Sequence, residues 1–108
     1  MISALPIGLS DAAPHPGDVA ADATLPPIDY ASVAGAEISR TGTVVADDVE
    51  QFESLRPLKH GKDYPRATGS TGDLLREDRP CGLVVAQNLG SGLGDVVLAD
   101  AVARAAGA

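Results

Sequence analysis

Hydrophobic and polar residues alternate along several short segments of the chain, in a pattern that is typical of strands. Ile28–Val33 alternates approximately, and Glu37–Ala46 contains β-branched residues and ends on an apolar run. Cys81–Ala86 is an almost continuous apolar segment that follows a proline, as expected of a buried strand. We therefore predict strands at these three places, with Gly42 as a β-bulge in the second.

The spacing of apolar residues predicts one short helix over Asp47–Leu55. Asp47 or Asp48 would be its N-cap, and Pro57 would end it. Its apolar face would consist of Val49, Phe52 and Leu55. The polar segment after it, residues 56–73, is rich in Gly, Pro, Ser and Thr and is predicted to be mostly loop.

The segment Asp95–Val102 is ambiguous. Val96 and Leu98 alternate with polar or small residues, which favours a strand. Asp95 as an N-cap and the alanine-rich continuation to Gly107 favour a helix. We predict a strand.

The first 27 residues differ in composition from the rest, because they hold five of the eight prolines. Proline disfavours helix at the residue before it, so this segment is predicted to be an extended arm. Its spaced apolar residues would contact either its own domain or a neighbouring chain, and those nearest the start are Ile2, Leu5, Ile7 and Leu9. The chain is thus predicted to be mainly β, with an extended N-terminal arm (1–27) and a small β-barrel-like or sandwich domain (28–108) that includes one short helix.

Composition limits the partners of this domain. The chain has 108 residues and a net charge of −7, which disfavours binding to nucleic acid or to an anionic membrane surface. Only 3% of its residues are aromatic, so an isolated monomer would be modestly stabilised and association with other subunits would help. Four basic residues cluster in the polar middle and would suit contacts with the acidic arm of another copy; they are Arg56, Lys59, Lys62 and Arg66.

Cysteine usage and the N-terminal pattern bear on the compartment. Cys81 is the one cysteine, which excludes an intramolecular disulfide and suits assembly in the cytoplasm. We expect its thiol to be a small buried apolar group. The first residues lack the positive segment of a secretory signal, and no apolar run approaches the ~20 residues of a membrane helix.

The glycine-rich segment Gln87–Val97 raises the question of a phosphate-binding loop. A dinucleotide fingerprint requires a third glycine, where this chain has Asp95, and a P-loop requires a lysine followed by Ser or Thr. We therefore interpret this segment as a flexible connection between two elements of the sheet.

No other pattern indicates catalysis or metal binding. His15 and His60 lie far apart without a second ligand at metal-binding spacing. Asp47–Glu50 lacks the alternation of a calcium loop, and nothing marks Cys81 and His60 as a nucleophile and base. We predict no catalytic, cofactor-binding or metal-binding residues, and no enzyme activity.

The order of small apolar segments resembles the capsid decoration (cement) proteins of tailed bacteriophages. The resemblance covers roughly residues 35–102 and rests on Thr41–Val45, Asp78–Val85 and Gly94–Ala99. It implies a small β body whose N-terminal arm reaches across a virion shell. The Asp47–Leu55 helix and the alanine-rich tail depart from it.

This resemblance implies a mechanical function. The chain would assemble in the host cytoplasm, bind the outer face of the capsid as a homotrimer, and hold neighbouring major capsid proteins together. Two alternatives are a small enzyme subunit or ligand-binding domain that uses the Gly90–Gly94 loop, and another phage tail or connector component.

Overall fold

The computed structural model describes residues 14–28, 30–90 and 92–107. A 3-10 turn at Pro16–Asp18 precedes the regular elements. The strands are β1 (Thr24–Leu25), β2 (Thr43–Ala46), β3 (Gly69–Ser70) and β4 (Val84–Gln87). The helices are α1 (Ala36–Ser39), α2 (Val49–Lys59), α3 (Thr71–Leu74) and α4 (Gly92–Ala105).

The four strands form one parallel sheet in the order β1-β4-β2-β3. The central pair is in register from Thr43 opposite Val84 to Ala46 opposite Gln87. Parallel strands need a crossover between them, so helices and loops separate every pair of consecutive strands. The prediction of a mainly β barrel or sandwich is therefore wrong, and the fold is α/β.

One face of this sheet carries the main hydrophobic core. Side chains alternate along a strand, so residues in register on neighbouring strands share a face. Val44 lies opposite Val85 on this face, and Leu25 from β1 lies beside Val85. Ile38 from α1 and Phe52 from α2 cover them, and all five side chains are buried in a single cluster.

Helix α2 confirms the predicted helix and extends it. Asp48 is the N-cap, and its carboxylate accepts a hydrogen bond from the Gln51 N–H at 2.9 Å. The prediction that Pro57 ends the helix is wrong, because Pro57 lies inside it. A proline in the last turn removes one backbone hydrogen bond, and the helix continues until His60 donates its N–H to the Arg56 carbonyl at 3.0 Å.

The predicted strands at Ile28–Val33 and Glu37–Ala46 are wrong in whole or in part. Residues 28 and 30–33 form turns and bends, because the chain leaves the sheet after β1 and crosses to β2. The first part of Glu37–Ala46 is helical: α1 buries Ile38 and Ser39, and only Thr43–Ala46 joins the sheet. Gly42 is not a bulge but a point of close approach to Leu83.

The C-terminal half contains two further corrections. The predicted loop at residues 56–73 includes the end of α2, the edge strand β3 and the start of α3. The predicted strand Cys81–Ala86 is confirmed at Val84–Ala86, but Cys81 precedes the strand and is exposed. Asp95–Val102, predicted as a strand, lies entirely within α4, because alanine and the early acidic residue favour a helix there.

The arm prediction falls partly outside the described residues. Residues 1–13, which include Ile2, Leu5, Ile7 and Leu9, are not among them. Leu25 and Pro27 are buried, and Thr24–Leu25 pairs with β4, so the sheet includes part of the segment assigned to the arm. None of the helices in the described ranges has the length and apolarity needed to cross a bilayer.

Candidate functional site

The carboxyl ends of β2 and β4 bring polar side chains together. In parallel α/β sheets, ligands bind outside this edge of the sheet. Asp47 follows β2 directly, and Gln87, the last residue of β4, lies opposite Ala46. This edge of the sheet is therefore the candidate site.

Gln87 is the centre of a buried polar network at this edge. Its amide nitrogen donates to the Tyr64 hydroxyl at 2.6 Å and to the Tyr30 carbonyl at 3.2 Å. The Tyr64 hydroxyl donates in turn to the Ala34 carbonyl at 2.8 Å. The Gln87 side-chain oxygen lies 3.3 Å from Nε2 of His60. We call His60, Tyr64 and Gln87 the His60 cluster.

These hydrogen bonds define the tautomer of His60. The Gln87 amide nitrogen faces two acceptors, so its oxygen faces His60 and requires a donor there. Nε2 therefore carries the proton, and Nδ1 carries a lone pair. Nδ1 is buried and has no hydrogen-bond partner among the described residues.

The environment of His60 keeps the ring neutral. Its side chain is packed against the rings of Tyr30, Phe52 and Tyr64, at centroid distances of 4.9–5.4 Å. This burial lowers the pKa of His60 below its ordinary value, and the positive charge of Arg56 lowers it further. The hydrogen bond to Gln87 opposes both effects without reversing them. His60 is 8% exposed, so the cluster is a closed, structural arrangement with no open surface for a substrate.

We expect the lowered pKa of His60 to make stability depend on pH. The unfolded chain binds a proton at His60 below about pH 6.5, while the folded chain resists protonation until a lower pH. The free energy of unfolding should therefore fall as the pH drops through this window. Urea denaturation of the wild type between pH 8 and pH 5 measures this slope.

Two variants isolate the contribution of His60 to that slope. His60→Phe keeps an aromatic ring among its neighbours and removes the titration, so the slope should become shallower. His15→Gln removes the other histidine, which is exposed, and is the matched control for the loss of a histidine side chain. Equal slopes for His60→Phe and the wild type would contradict the buried, neutral His60.

Two backbone N–H groups at the start of the glycine-rich segment are already occupied. The Asp47 carboxylate accepts hydrogen bonds from the Leu89 N–H at 3.1 Å and from the Gly90 N–H at 2.9 Å. An internal carboxylate thus binds two donors that a phosphate would need. Residues 88–90 follow β4 as a connection anchored by Asp47, whereas Gln87 lies in β4 and residues 92–97, which the sequence assigns to the connection, lie in α4.

The basic residues predicted as an interface lie around the end of α2. The Arg56 guanidinium is used within the chain, since it donates to the carbonyls of Lys62 and Tyr64 and contacts Glu53. Lys59 lies over the Tyr30 ring, 5.6 Å from its centroid. Lys62 and Arg66 are exposed, and Arg66 forms an ion pair with Glu53 at 3.7 Å. Their role as an interface stays a prediction, as does that of the four arm residues.

The described residues contain no group of three His, Cys, Asp or Glu side chains that could hold a metal ion. Cys81 is exposed, contrary to the expectation that it would be buried. It opens the turn before β4, where Gly82 has a positive φ of 85°, and this turn keeps it outside the core.

The feature that the sequence did not predict is the exposure of helix α4. Every residue of this helix that the structure describes is exposed, from Gly92 to Ala105. Its large apolar side chains are 60–75% exposed; they are Leu93, Val96, Val97, Leu98 and Val102. Large apolar side chains on a helix are normally packed against another element, and a large exposed apolar patch marks a site of interaction.

Comparisons with known proteins give no relative for this chain. No protein-family model, no curated protein sequence and no solved structure matches it.

Proposed function

We propose that this protein is a structural assembly component that acts by association and not by catalysis, and that α4 is its docking element. The observation that carries this proposal is the exposure of an apolar 14-residue helix beside a small, complete core. The burial of the His60 cluster and the Asp47 carboxylate already bound to the Leu89 and Gly90 N–H groups support it, because both arrangements satisfy these polar groups within the chain.

The energetics of α4 favour docking. Full burial of one Val or Leu side chain contributes about 1.5–3 kcal/mol. Burying several of the five exposed side chains would offset much of the entropic cost of association, about 4–15 kcal/mol. The helix supplies no such gain while it faces water.

The distribution of charge points to the same element. The chain carries a net charge of −7, but α4 contains two aspartates and one arginine, a net charge of −1. Arg104 and Asp100 form an i,i+4 ion pair at 2.8 Å, which leaves Asp95 as its one uncompensated charge. Contact through this nearly neutral helix keeps most of the chain's negative charge away from the interface.

The assembly we propose is the capsid of a tailed bacteriophage, with the major capsid protein as the partner. The support is the sequence resemblance over residues 35–102. A β-barrel domain is no part of this proposal, since the fold is α/β. A decoration protein needs a stable body and a docking element, and the α/β domain with α4 supplies both.

Co-expression with the major capsid protein of the same genome tests this function. We expect the chain to co-sediment with capsid particles in a density gradient, and a variant truncated after Gly90 to be lost from them. Leu58→Asp is the matched control, because Leu58 is equally apolar and 81% exposed but lies on α2. Full-length chain that stays free of particles, or truncated chain that co-sediments equally, would overturn the proposal.

A further inference from the structure

Tyr30 has a strained backbone that the His60 cluster holds in place. Its φ of 58° lies in the left-handed region, and it is the one non-glycine residue with a positive φ in the part of the chain that the structure describes. A bulky residue is disfavoured there and stays only where its surroundings hold it. The Tyr30 ring packs edge-on against His60 at a centroid distance of 5.4 Å, and the Tyr30 carbonyl accepts a hydrogen bond from Gln87 at 3.2 Å.

Tyr30 also forms the outer wall of the His60 cluster. Three aromatic rings surround the imidazole, and those of Phe52 and Tyr64 are fully buried, whereas Tyr30 is only half-buried. Lys59, which is exposed, lies 5.6 Å from the centroid of the Tyr30 ring. Tyr30 is therefore the side chain whose movement would bring water to His60.

The closed cluster has no place for a second proton on His60. Nε2 already donates to Gln87, so protonation would add a donor at Nδ1. Nδ1 is buried and has no acceptor among the described residues. A buried donor without an acceptor is costly, so the protonated ring requires access to water.

The charged groups around His60 do not offset this cost. Arg56 and Lys59, on the same helix, are both cationic, and the Glu53 carboxylate is paired with Arg56 at 3.2 Å. The residues that face the ring from other elements carry no charge near neutral pH; they are Tyr30, Tyr64 and Gln87. Burial and the Arg56 charge lower the pKa of His60 in this closed state, which is consistent with the geometry.

We propose that Tyr30 is a lid on the His60 cluster and that protonation of His60 opens it. Water then reaches Nδ1, and the backbone of Tyr30 is released from its left-handed conformation. The opening is local, because the same crossover stays anchored at the Ala34 carbonyl, which accepts from the hydroxyls of Tyr64 at 2.8 Å and Ser39 at 3.1 Å. Because the open state binds the proton better, each unit of pH below about 6.5 should raise the ratio of open to closed chains by up to about tenfold.

Aromatic NMR of the full-length chain between pH 8 and pH 5, with a neutral gadolinium chelate as relaxation agent, measures the exposure of each ring. The chain has two tyrosines, so their signals are readily separated. We expect the relaxation of the Tyr30 ring protons to rise as the pH falls, with the same midpoint as the titration of the His60 ring. The Tyr64 protons should stay protected, because the domain remains folded.

Two histidine variants show whether His60 is the trigger. His60→Phe keeps an aromatic ring under Tyr30 and removes the proton, so Tyr30 should stay covered at every pH. His15→Gln removes the exposed histidine, and its Tyr30 signal should still respond to pH. Exposure of Tyr30 and Tyr64 together would show global unfolding, and an equal response in His60→Phe would show another trigger; either result would overturn the proposal.

Linkage supplies a second measurement, because a lid that resists protonation when closed must raise the pKa of His60 when it is removed. Tyr30→Gly removes the ring and adopts a positive φ without strain, so His60 should titrate at a higher pH than in the wild type. Leu58→Ala is the matched control, since Leu58 lies two positions before His60 but is 81% exposed. An unchanged His60 titration in Tyr30→Gly would contradict the lid. The lid does not involve α4, so either outcome leaves the proposed function untouched.

Discussion

Replacing Phe52 with alanine is expected to lower the free energy of unfolding by about 3–5 kcal/mol. Phe52 is the one phenylalanine of the chain, and its side chain is fully buried between α2 and the sheet. It packs against the rings of His60 at 5.0 Å and Tyr64 at 6.1 Å, so its removal leaves a cavity beside the His60 cluster. Domains of this kind are stable by about 5–15 kcal/mol, and this one variant would remove a large fraction of that.

Urea denaturation followed by circular dichroism measures this effect. Leu58→Ala is the matched control, because Leu58 lies on the same helix but is 81% exposed. We expect it to change stability by less than about 0.5 kcal/mol. Similar losses for the two variants would mean that α2 is not packed on the sheet through Phe52.

Replacing Gly42 with alanine is expected to destabilise the sheet by about 1–3 kcal/mol or more. A Cβ atom at this position would collide with the Leu83 carbonyl oxygen and would lie 2.9 Å from the Leu83 Cβ. That same carbonyl accepts the Thr43 N–H at 2.8 Å, in the first hydrogen bond between β2 and β4. The two central strands would have to separate to admit one methyl group.

Gly69→Ala is the control for this prediction. Gly69 lies in the edge strand β3, and a Cβ atom there meets nothing within 4 Å. Thermal unfolding should show a lower melting temperature for Gly42→Ala and little change for Gly69→Ala. A Gly42→Ala protein as stable as the wild type would show that β2 and β4 do not approach as closely as this structure places them.

Predictions from local sequence agree with the structure where short-range interactions decide it. The start of α2 depends on Asp48 and the N–H three residues later, both within one turn. The strand β4 is marked by its own apolar run, whatever its neighbours are. The predicted end of α2 at Pro57 was wrong because a proline in the last turn of a helix removes only one hydrogen bond.

The candidate sites depended on interactions between residues far apart in the chain. His60 lies in a segment that the sequence marks as polar loop, yet its ring packs against Phe52 and is hydrogen-bonded to Gln87, 27 positions later. The Leu89 and Gly90 N–H groups are bound by Asp47, which precedes Gly90 by 43 positions. No local pattern gives either pairing.

Helix α4 shows the limit of pattern analysis most directly. Val96 and Leu98 fit the alternation of a strand, whereas the alanines and Asp95 fit a helix, and the two signals nearly balance. An apolar segment is expected to be buried whichever element it forms. Its exposure follows from where the chain emerges after β4, which depends on the whole sheet.

The sequence by itself determined the acidic charge, the helix that begins at Asp48, the central strand near Val84 and the lack of a complete phosphate-binding motif. These follow from composition and from interactions within about one helical turn. Only the tertiary structure decided that the sheet is parallel, that His60 is buried and neutral, and that α4 is exposed. Parallel pairing joins residues as distant as Thr24 and Val84, and burial depends on every element that packs around a side chain. A local pattern carries no information on either.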